Sequence, residues 1–224
     1  MSTPFWPPPT EKYPGTLPAK ADVLVIGGGI AGTSLLWHLA RLRIDAVLVE
    51  RRHVAWGASG RNAGFLLAGV ASSYAEAVRT YGRGKAREVW ELTNENHDRV
   101  VEAARGHEFG YRRLGSAVVP AGDEERALLI ESETLLREDG FDARWDGTRL
   151  VNPRDGEVNP AALVAALARQ AKAGAIREGV GVSAVQQRSH DVLVTAGEVQ
   201  CEAGMVILAT NGYSAQLVPS VKIQ

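Results

Sequence analysis

Residues 22–50, DVLVIGGGIAGTSLLWHLARLRIDAVLVE, contain the pattern that decides the fold. Their two apolar runs, 23–26 and 46–49, are short and rich in β-branched residues, which is typical of buried parallel strands. Between the runs, apolar positions from Ile30 to Leu42 follow a helical spacing. The stretch therefore predicts a β-strand, an α-helix and a second β-strand of a parallel sheet.

The turn that joins the first strand to the helix reads G-x-G-x-x-G. Gly27 permits a tight turn, Gly29 lets the backbone approach a pyrophosphate, and Gly32 lets the helix pack closely on the strand. A diphosphate is then expected to bind at the positive N-terminus of the helix. The alternative is a glycine-rich turn in an ordinary α/β protein, and the ordered strand, helix and strand favour dinucleotide binding over it.

Glu50 ends the second strand roughly 20 residues after the glycines, where a carboxylate can accept hydrogen bonds from a ribose 2′-hydroxyl. The same carboxylate would repel a 2′-phosphate, which disfavours NADP as the ligand. The glycines and Glu50 do not by themselves separate NAD from FAD.

Composition excludes several classes of protein. The net charge of the 224 residues is −1, so nothing marks a nucleic-acid partner or an acidic membrane surface. Cys201 is the only cysteine, so no intramolecular disulfide is expected and no metal site is predicted. The sequence shows no signal peptide and no apolar run of membrane-spanning length, so we expect a cytoplasmic protein without a membrane partner.

Residues 1–20 hold six of the ten prolines and predict an extended arm. A disordered tail is the simplest interpretation. Alternatively, Phe5 and Trp6 anchor the arm on the domain surface. A proline-rich ligand for a partner protein is the third.

A second glycine-rich segment, GASGRNAG, occupies residues 57–64 directly after the predicted ribose-binding strand. It is too polar for a core, and its place in the chain puts it beside the pyrophosphate cleft. It offers backbone amides, the Arg61 guanidinium and the Asn62 amide to phosphate or ring atoms. The segment favours FAD over NAD, with a solvated surface turn as the alternative.

Three stretches together resemble one family: VIGGGIAGTSLLWHLA, VLVERRHVAWGASGRNAGFL and VILATNGYSAQLVP. They are similar to the FAD-dependent amine and amino-acid oxidoreductases of the D-amino-acid oxidase superfamily, which includes glycine, sarcosine and γ-glutamylputrescine oxidases. The Ser-Gly-Arg-Asn segment is most similar to the γ-glutamylputrescine oxidase branch. The resemblance covers nearly all of residues 20–220.

The resemblance implies a set of cofactor-binding residues. Relatives that bind flavin covalently use a histidine where this sequence has Asn62, so we expect non-covalent FAD. Val182 is the best match to a valine whose backbone faces the adenine. The implied cofactor-binding residues are Gly27, Gly29, Ile30, Ala31, Gly32, Glu50, Arg51, Ser59, Gly60, Arg61, Asn62, Ala63, Gly64, Val182, Ala209, Thr210, Asn211 and Gly212.

The expected fold class is α/β, with a Rossmann-like FAD-binding domain built on a parallel sheet and the start of an inserted α+β substrate domain. Relatives in the family continue well past residue 224, so we expect this chain to be an N-terminal portion. The predicted division is a proline-rich arm at 1–20, an FAD-binding domain at 21–106 and 150–215, the substrate domain at 107–149 and a truncated crossing segment at 216–224.

Local patterns predict the remaining elements. Helices are predicted over 73–106, with a break near Gly82 and Gly84, and over 123–138, with Asp123 as the N-cap. A further helix is predicted from Asn159-Pro160 to about 173. Strands are predicted over 111–119, 175–187, 191–202 and 204–208.

The resemblance implies an enzyme that oxidises the C–N bond of an amine or amino acid by hydride transfer to flavin, after which water hydrolyses the imine. Oxygen or another acceptor would reoxidise the flavin. No Asp, Glu or His constellation demands an acid–base catalyst, so no catalytic residue is assigned. Two alternatives remain: a non-catalytic FAD-binding fragment or subunit that needs a partner chain, and an NAD-dependent Rossmann dehydrogenase. Residues 59–64 and 209–212 weigh against the latter.

Overall fold

The computed structural model describes residues 4–218, which pack as two units. The first unit contains residues 4–63, 106–109 and 159–218, and the second contains residues 64–105 and 110–158. The helices are α1 (Ile30–Arg41), α2 (Tyr74–Tyr81), α3 (Arg83–Ala103), α4 (Asp123–Glu138), α5 (Pro160–Arg169) and α6 (Ser214–Leu217), with 3₁₀ turns at Ala58–Gly60 and Asn211–Tyr213. The strands are β1 (Lys20–Ile26), β2 (Ala46–Glu50), β3 (Phe65–Leu66), β4 (Ser116–Val118), β5 (Arg144–Trp145), β6 (Leu150–Asn152), β7 (Gly156–Glu157), β8 (Ile176–Glu178), β9 (Ala184–Gln187), β10 (Val192–Ala196) and β11 (Val199–Leu208).

The first unit is built on a six-stranded sheet in the order β8-β2-β1-β11-β10-β9. The strands β8, β2, β1 and β11 run parallel, and β10 and β9 complete the sheet in antiparallel pairings. Leu24 and Val25 of β1 are both fully buried, because a strand covered on both faces carries a continuous apolar run. The predicted α/β class with a parallel sheet is confirmed.

Successive side chains of β1 point to opposite faces of the sheet and so belong to two cores. Val25 packs with Leu36 of α1 and Val164 of α5 on one face. Leu24 packs with Val194 of β10 on the other. Each fully buried side chain of this size contributes about 2 kcal/mol through removal of apolar surface from water. The two cores therefore hold β1 in place from both faces of the sheet.

The final strand is longer than the sequence predicted. We expected a hairpin within 191–202, turning at 196–198, and a separate strand at 204–208, but the second strand of that hairpin, β11, runs unbroken over Val199–Leu208. One side of it pairs antiparallel with β10, and the other pairs parallel with β1 up to Leu208 opposite Ile26. A strand has two hydrogen-bonding sides, so one element serves both pairings.

The lone cysteine lies in this strand. Cys201 is fully buried and belongs to the core that contains Leu24. Burial raises the pKa of its thiol, with Glu202 adding to the same effect. The neutral thiol therefore acts as a small apolar side chain.

The proline-rich arm lies against the first unit. The Glu178 N–H donates to the Tyr13 carbonyl at 2.6 Å, and the Tyr13 N–H donates to Glu178 Oε2 at 3.0 Å. Leu17 is buried in one core and Trp6 packs against the other, whereas Phe5 is 86% exposed. The structure therefore matches the alternative in which the arm is anchored, with Trp6 rather than Phe5 as the aromatic anchor.

Helix α5 begins as the sequence predicted. Asn159 Oδ1 accepts the Ala162 N–H at 3.0 Å, and Pro160 occupies the first helical position. The helix ends at Arg169, four residues before the expected 173. Its apolar face packs in the core beside α1.

The second unit has an antiparallel sheet in the order β4-β6-β5 and a separate β3-β7 pair. Its core joins Tyr74 of α2 and Trp90 of α3 to Leu129 of α4. That burial holds residues 64–105 in this unit, and the assignment of 21–106 to an FAD-binding domain stays a prediction.

Two local predictions in this unit are wrong. The strand expected over 111–119 is reduced to Ser116–Val118, since Gly115 at φ +78° interrupts the extended run. Asp123 is the first helical residue of α4, and Gly122 holds the N-cap position without a side-chain hydrogen bond. The Asp123 carboxylate still lies at the end of the helix where negative charge is favourable.

Asp139 joins three helices of the second unit, and its contacts should make the stability of the fold depend on pH. Its Oδ2 accepts the Tyr74 hydroxyl at 2.6 Å and its Oδ1 accepts Arg83 Nε at 3.0 Å. Burial raises the pKa of Asp139, but the hydrogen bonds from Arg83 and Tyr74 outweigh burial and hold the pKa below its usual value. The carboxylate therefore stabilises the fold above about pH 4 and loses that contribution as the pH falls through its lower folded pKa.

We expect Asp139→Asn to lower the free energy of unfolding by about 1–3 kcal/mol at pH 7, and the difference from the parent protein to shrink in acid. Urea unfolding from pH 7 to pH 3 measures both effects. Asp142→Asn is the control, because Asp142 is exposed nearby on the same unit. An equal difference at pH 3 and pH 7 would contradict this account of Asp139.

Candidate dinucleotide-binding site

The glycine-rich turn between β1 and α1 is closely surrounded by other atoms. Gly27 has φ +117°, and a Cβ on it would lie 2.6 Å from the carbonyl oxygen of Ala209. A Cβ on Gly32 would overlap the carbonyl oxygen of Gly27, and a Cβ on Gly29 would lie 2.9 Å from Ser59 Oγ. Main-chain atoms therefore exclude a side chain at Gly27 and Gly32, whereas a side chain at Gly29 would displace the Ser59 hydroxyl.

The first turn of α1 has backbone amides available for an anion. Gly29 is the N-cap and supplies no side chain, so Ser59 Oγ accepts the Ile30 N–H at 2.9 Å in its place. The next two amides, of Ala31 and Gly32, have no acceptor among residues 4–218. Unpaired amides at the positive end of a helix are the donors that a diphosphate binds.

Glu50 closes the turn from the side of β2. Its Oε2 accepts the Gly28 N–H at 2.7 Å and its Oε1 accepts the Arg52 N–H at 2.8 Å. Each carboxylate oxygen has a further lone pair. Glu50 therefore fixes the glycine turn and can still accept hydrogen bonds from ribose hydroxyls.

Residues 57–63, called here the Ser59 loop, hold their shape through their own hydrogen bonds. Ala58–Gly60 form a 3₁₀ turn, and Asn62 Nδ2 donates to the carbonyl oxygens of Ala58 and Ser59 at 3.2 Å each. A Cβ on Gly60 would overlap the carbonyl oxygen of Ala55. Because Ser59 also accepts from Ile30, the loop and the N-terminus of α1 form one connected structure.

Arginine side chains add positive charge around this structure. Arg61 Nε donates to the Trp56 carbonyl at 2.9 Å, and its guanidinium lies 5.0 Å from the centre of the Trp56 ring. Arg52 approaches the same ring at 4.8 Å. Both arginines are exposed, so their charges can face a phosphate while their stems pack on the indole.

The turn after β11 meets the glycine turn. The Ala209 N–H donates to the Ile26 carbonyl at 2.8 Å, which places Ala209 against Gly27. Thr210 Oγ1 and Ser214 Oγ lie 2.9 Å apart, and Asn211 has φ +48°. The carboxyl ends of β1, β2 and β11 therefore meet, as expected of neighbouring parallel strands.

Arg51, a predicted cofactor residue, contacts two residues outside the predicted set. Its guanidinium lies 5.3 Å from the centre of the Tyr213 ring, and its stem lies beside Gly181. Val182 follows Gly181 and is half-buried against the sheet. Tyr213 and Gly181 were not predicted from the sequence. The only signal for them is that each lies next to a predicted residue in the chain.

The structure brings together most of the predicted cofactor residues. Those from Gly27 to Gly32, Glu50 and Ser59 share hydrogen bonds or van der Waals contact, and Ala209 adjoins them. Gly64 differs, because it belongs to the second unit, where its carbonyl accepts the Val158 N–H at 2.8 Å. That each residue contacts a cofactor stays a prediction.

No group of three or more His, Cys, Asp and Glu side chains within residues 4–218 is arranged to hold a metal ion. None of the helices between residues 4 and 218 combines the length and apolar character that crossing a membrane requires.

Known proteins are similar to this chain in sequence and in fold. γ-Glutamylputrescine oxidoreductase of Escherichia coli (strain K12) is 28% identical over 211 residues, covering 86% of this chain and 49% of the relative. Glycine oxidase of Bacillus licheniformis is 26% identical over 217 residues, covering 90% of this chain and 57% of the relative. The crystal structure of glycine oxidase from Geobacillus kaustophilus matches the fold with a TM-score of 0.70 at 23% identity, over 89% of this chain and 58% of that one. The chain thus spans about half the length of the curated relatives it matches.

A family model described as FAD dependent oxidoreductase (DAO) matches residues 22–224. The match confirms the resemblance drawn from the three sequence stretches. It also confirms FAD, rather than NAD, as the cofactor of the family. Since the matched residues make up most of the sequence, the chain belongs to the DAO family of FAD-dependent oxidoreductases.

Proposed function

We propose that the first unit holds FAD without a covalent bond and that the whole protein oxidises the C–N bond of an amine or amino acid. The observation that carries the proposal is the N-terminus of α1. There the amides of Ala31 and Gly32 have no acceptor within residues 4–218. This arrangement fits a diphosphate, the central group of FAD.

The chain's own residues would bind and orient the cofactor. The helix amides would neutralise the diphosphate, and Glu50 would align the ribose while it holds the Gly28 amide. Arg61 would add a positive charge, and Asn62 would hold the Ser59 loop in shape. When bound, FAD supplies a hydride acceptor for C–N bond oxidation, and water hydrolyses the imine product.

Non-covalent binding is proposed because of Asn62. An amide side chain cannot form the bond that a flavin-linked histidine makes in covalent relatives, and here its nitrogen donates to Ala58 and Ser59. The nearby His53 has its Nδ1 2.8 Å from the Val54 carbonyl oxygen and packs edge-on against Trp56. Both side chains are engaged in local structure.

The class of substrate is inferred from relatives whose names specify it. One acts on γ-glutamylputrescine and another on glycine, and both substrates carry an amine beside a C–H bond. We infer the same chemical class for this protein. Peroxide formation and reduction of an artificial acceptor, measured with a panel of amines and amino acids, would identify the substrate and separate an oxidase from a dehydrogenase.

We expect the purified protein to be yellow, or to become so on titration with FAD, because the first unit supplies the complete diphosphate-binding turn. Absorbance and quenching of flavin fluorescence measure the binding, and titration with NAD is the matched control. Denaturation with acid should release all flavin into the supernatant. A colourless protein that binds NAD but not FAD would overturn the proposal, and flavin that stays on the precipitated chain would overturn its non-covalent part.

A further inference from the structure

We propose that the N-terminal arm, residues 4–19, positions the Ser59 loop for FAD and that Trp6 is the positioning residue. The inference rests on the proposed function, because the role it assigns is exerted on bound FAD through that loop. The contact that carries it is a hydrogen bond of 2.8 Å from Trp6 Nε1 to the main-chain carbonyl of Asn62, across 56 residues of sequence.

The arm is held at several points after Trp6, so the indole is not part of a loose end. Glu11 Oε1 accepts Arg169 Nε of α5 at 2.7 Å. Tyr13 exchanges two hydrogen bonds with Glu178 of β8. These contacts fix the arm to helix α5 and strand β8, neither of which belongs to the Ser59 loop.

Trp6 is suited to restrain a main chain. Its ring packs against the core that contains Val25 and Leu36, and Phe5 meets it edge-on at 4.8 Å. The indole has one N–H and no acceptor, so its single polar contact goes to the Asn62 carbonyl. The hydrogen bond therefore fixes the backbone of the loop relative to the sheet.

The restraint continues from Asn62 to the helix. The Asn62 side chain donates to the carbonyl oxygens of Ala58 and Ser59, and Ser59 Oγ accepts the Ile30 N–H. Every link in this series is a hydrogen bond of 2.8–3.2 Å. The arm thus acts on the first turn of α1, where the amides of the diphosphate site lie.

An arm that only stabilises the sheet would have different consequences. Weakening it would lower global stability but leave the affinity for FAD and the local opening of the Ser59 loop unchanged. A positioning arm changes the loop and the affinity even where global stability is preserved. The two roles are separated by measuring all three quantities on matched variants.

The test compares Trp6→Phe with Trp37→Phe in the otherwise complete protein. Each variant keeps an aromatic ring and loses one indole N–H, and Trp37 Nε1 donates to Gln170 Oε1 at 3.2 Å instead of to the loop. Hydrogen exchange of the Gly60 and Arg61 amides, which donate within the loop at 3.1 Å, is measured without FAD. The dissociation constant for FAD and the melting temperature of the cofactor-free protein are measured beside it.

We expect Trp6→Phe to bind FAD roughly three- to tenfold more weakly, as for loss of one ordinary hydrogen bond, and to exchange the loop amides faster. Trp37→Phe should match the parent protein in both quantities, and the two variants should melt alike. In a Ser59→Ala background, which cuts the link to Ile30, the effect of Trp6→Phe on FAD affinity should shrink, because coupled residues are not additive.

Three results would count against the inference. Unchanged FAD affinity and loop exchange in Trp6→Phe would overturn it while the proposed function stands. A Trp6→Phe effect that stays the same in the Ser59→Ala background would rule out action through the loop. Failure of the parent protein to bind FAD would remove the proposed function and the positioning role together, and the parent titration alone shows it.

Discussion

Gly32→Ala is expected to reduce FAD affinity at least roughly 100-fold, the equivalent of losing two amide–phosphate hydrogen bonds of about 1.5 kcal/mol each. A Cβ at this position overlaps the Gly27 carbonyl oxygen, which belongs to a tightly held turn. The N-terminus of α1 must then move, and the amides of Ala31 and residue 32 move with it. Titration of the cofactor-free variant with FAD measures the loss.

The same substitution should lower stability, although alanine is the better helix former. The intrinsic gain of alanine over glycine in a helix is about 1 kcal/mol, whereas overpacking against a fixed backbone costs about 1–3 kcal/mol and more when nothing can yield. Gly84→Ala in the first turn of α3 is the control, because a Cβ there meets nothing within 4 Å. In urea unfolding, we expect Gly32→Ala to lower the free energy of unfolding and Gly84→Ala to raise it. A stabilised Gly32→Ala protein with normal FAD affinity would refute the account of this turn.

Glu50→Gln is expected to raise the dissociation constant for FAD roughly 30-fold, or about 2 kcal/mol. The carboxylate accepts two backbone amides, from Gly28 and Arg52. A glutamine has one acceptor oxygen, so its NH₂ group must face one of those two donors. It also loses the charge that strengthens a hydrogen bond to ribose.

Asp45→Asn is the matched control for Glu50, since it also removes a carboxylate charge beside β2. Asp45 pairs with Lys172 at 3.1 Å, with its side chain 67% exposed, and exposed pairs of this kind contribute little. The FAD affinity of the Asp45→Asn protein should stay within roughly twofold of the parent value. Equal losses in both variants would show that net charge, rather than the geometry of Glu50, governs binding.

Local sequence patterns were enough to predict several individual helices and strands. The β1–α1–β2 unit follows from apolar spacing, and the start of α5 follows from Asn159 and Pro160. The meeting of the turns at Gly27 and Ala209 could also be predicted, because the carboxyl ends of neighbouring parallel strands lie together. Those features need only spacing within an element and the rules of strand pairing.

Contacts between distant residues were not predictable in this way. Nothing in the sequence indicates that Trp6 donates to Asn62, or that the buried Glu178 accepts the amides of Tyr13 and Val54. Such pairs arise from the tertiary packing of segments whose own patterns are weak. The role of Ser59 was anticipated only in part, since its loop was assigned to the cofactor but its hydrogen bond to α1 was not foreseen.

The docked arm also bears on the exposed edge of the sheet in the first unit. β8 is the outermost strand on its side of the sheet, and such strands can recruit extended segments of neighbouring chains into aggregates. Here Pro14 bridges Glu178 in parallel, and the Tyr13 carbonyl accepts the Glu178 N–H, so the arm occupies this edge of β8 at Glu178. Prolines along the arm lack the N–H groups that would extend the ladder outward. The arm therefore covers the end of this border at Glu178 with a segment that is poor in further hydrogen-bond donors.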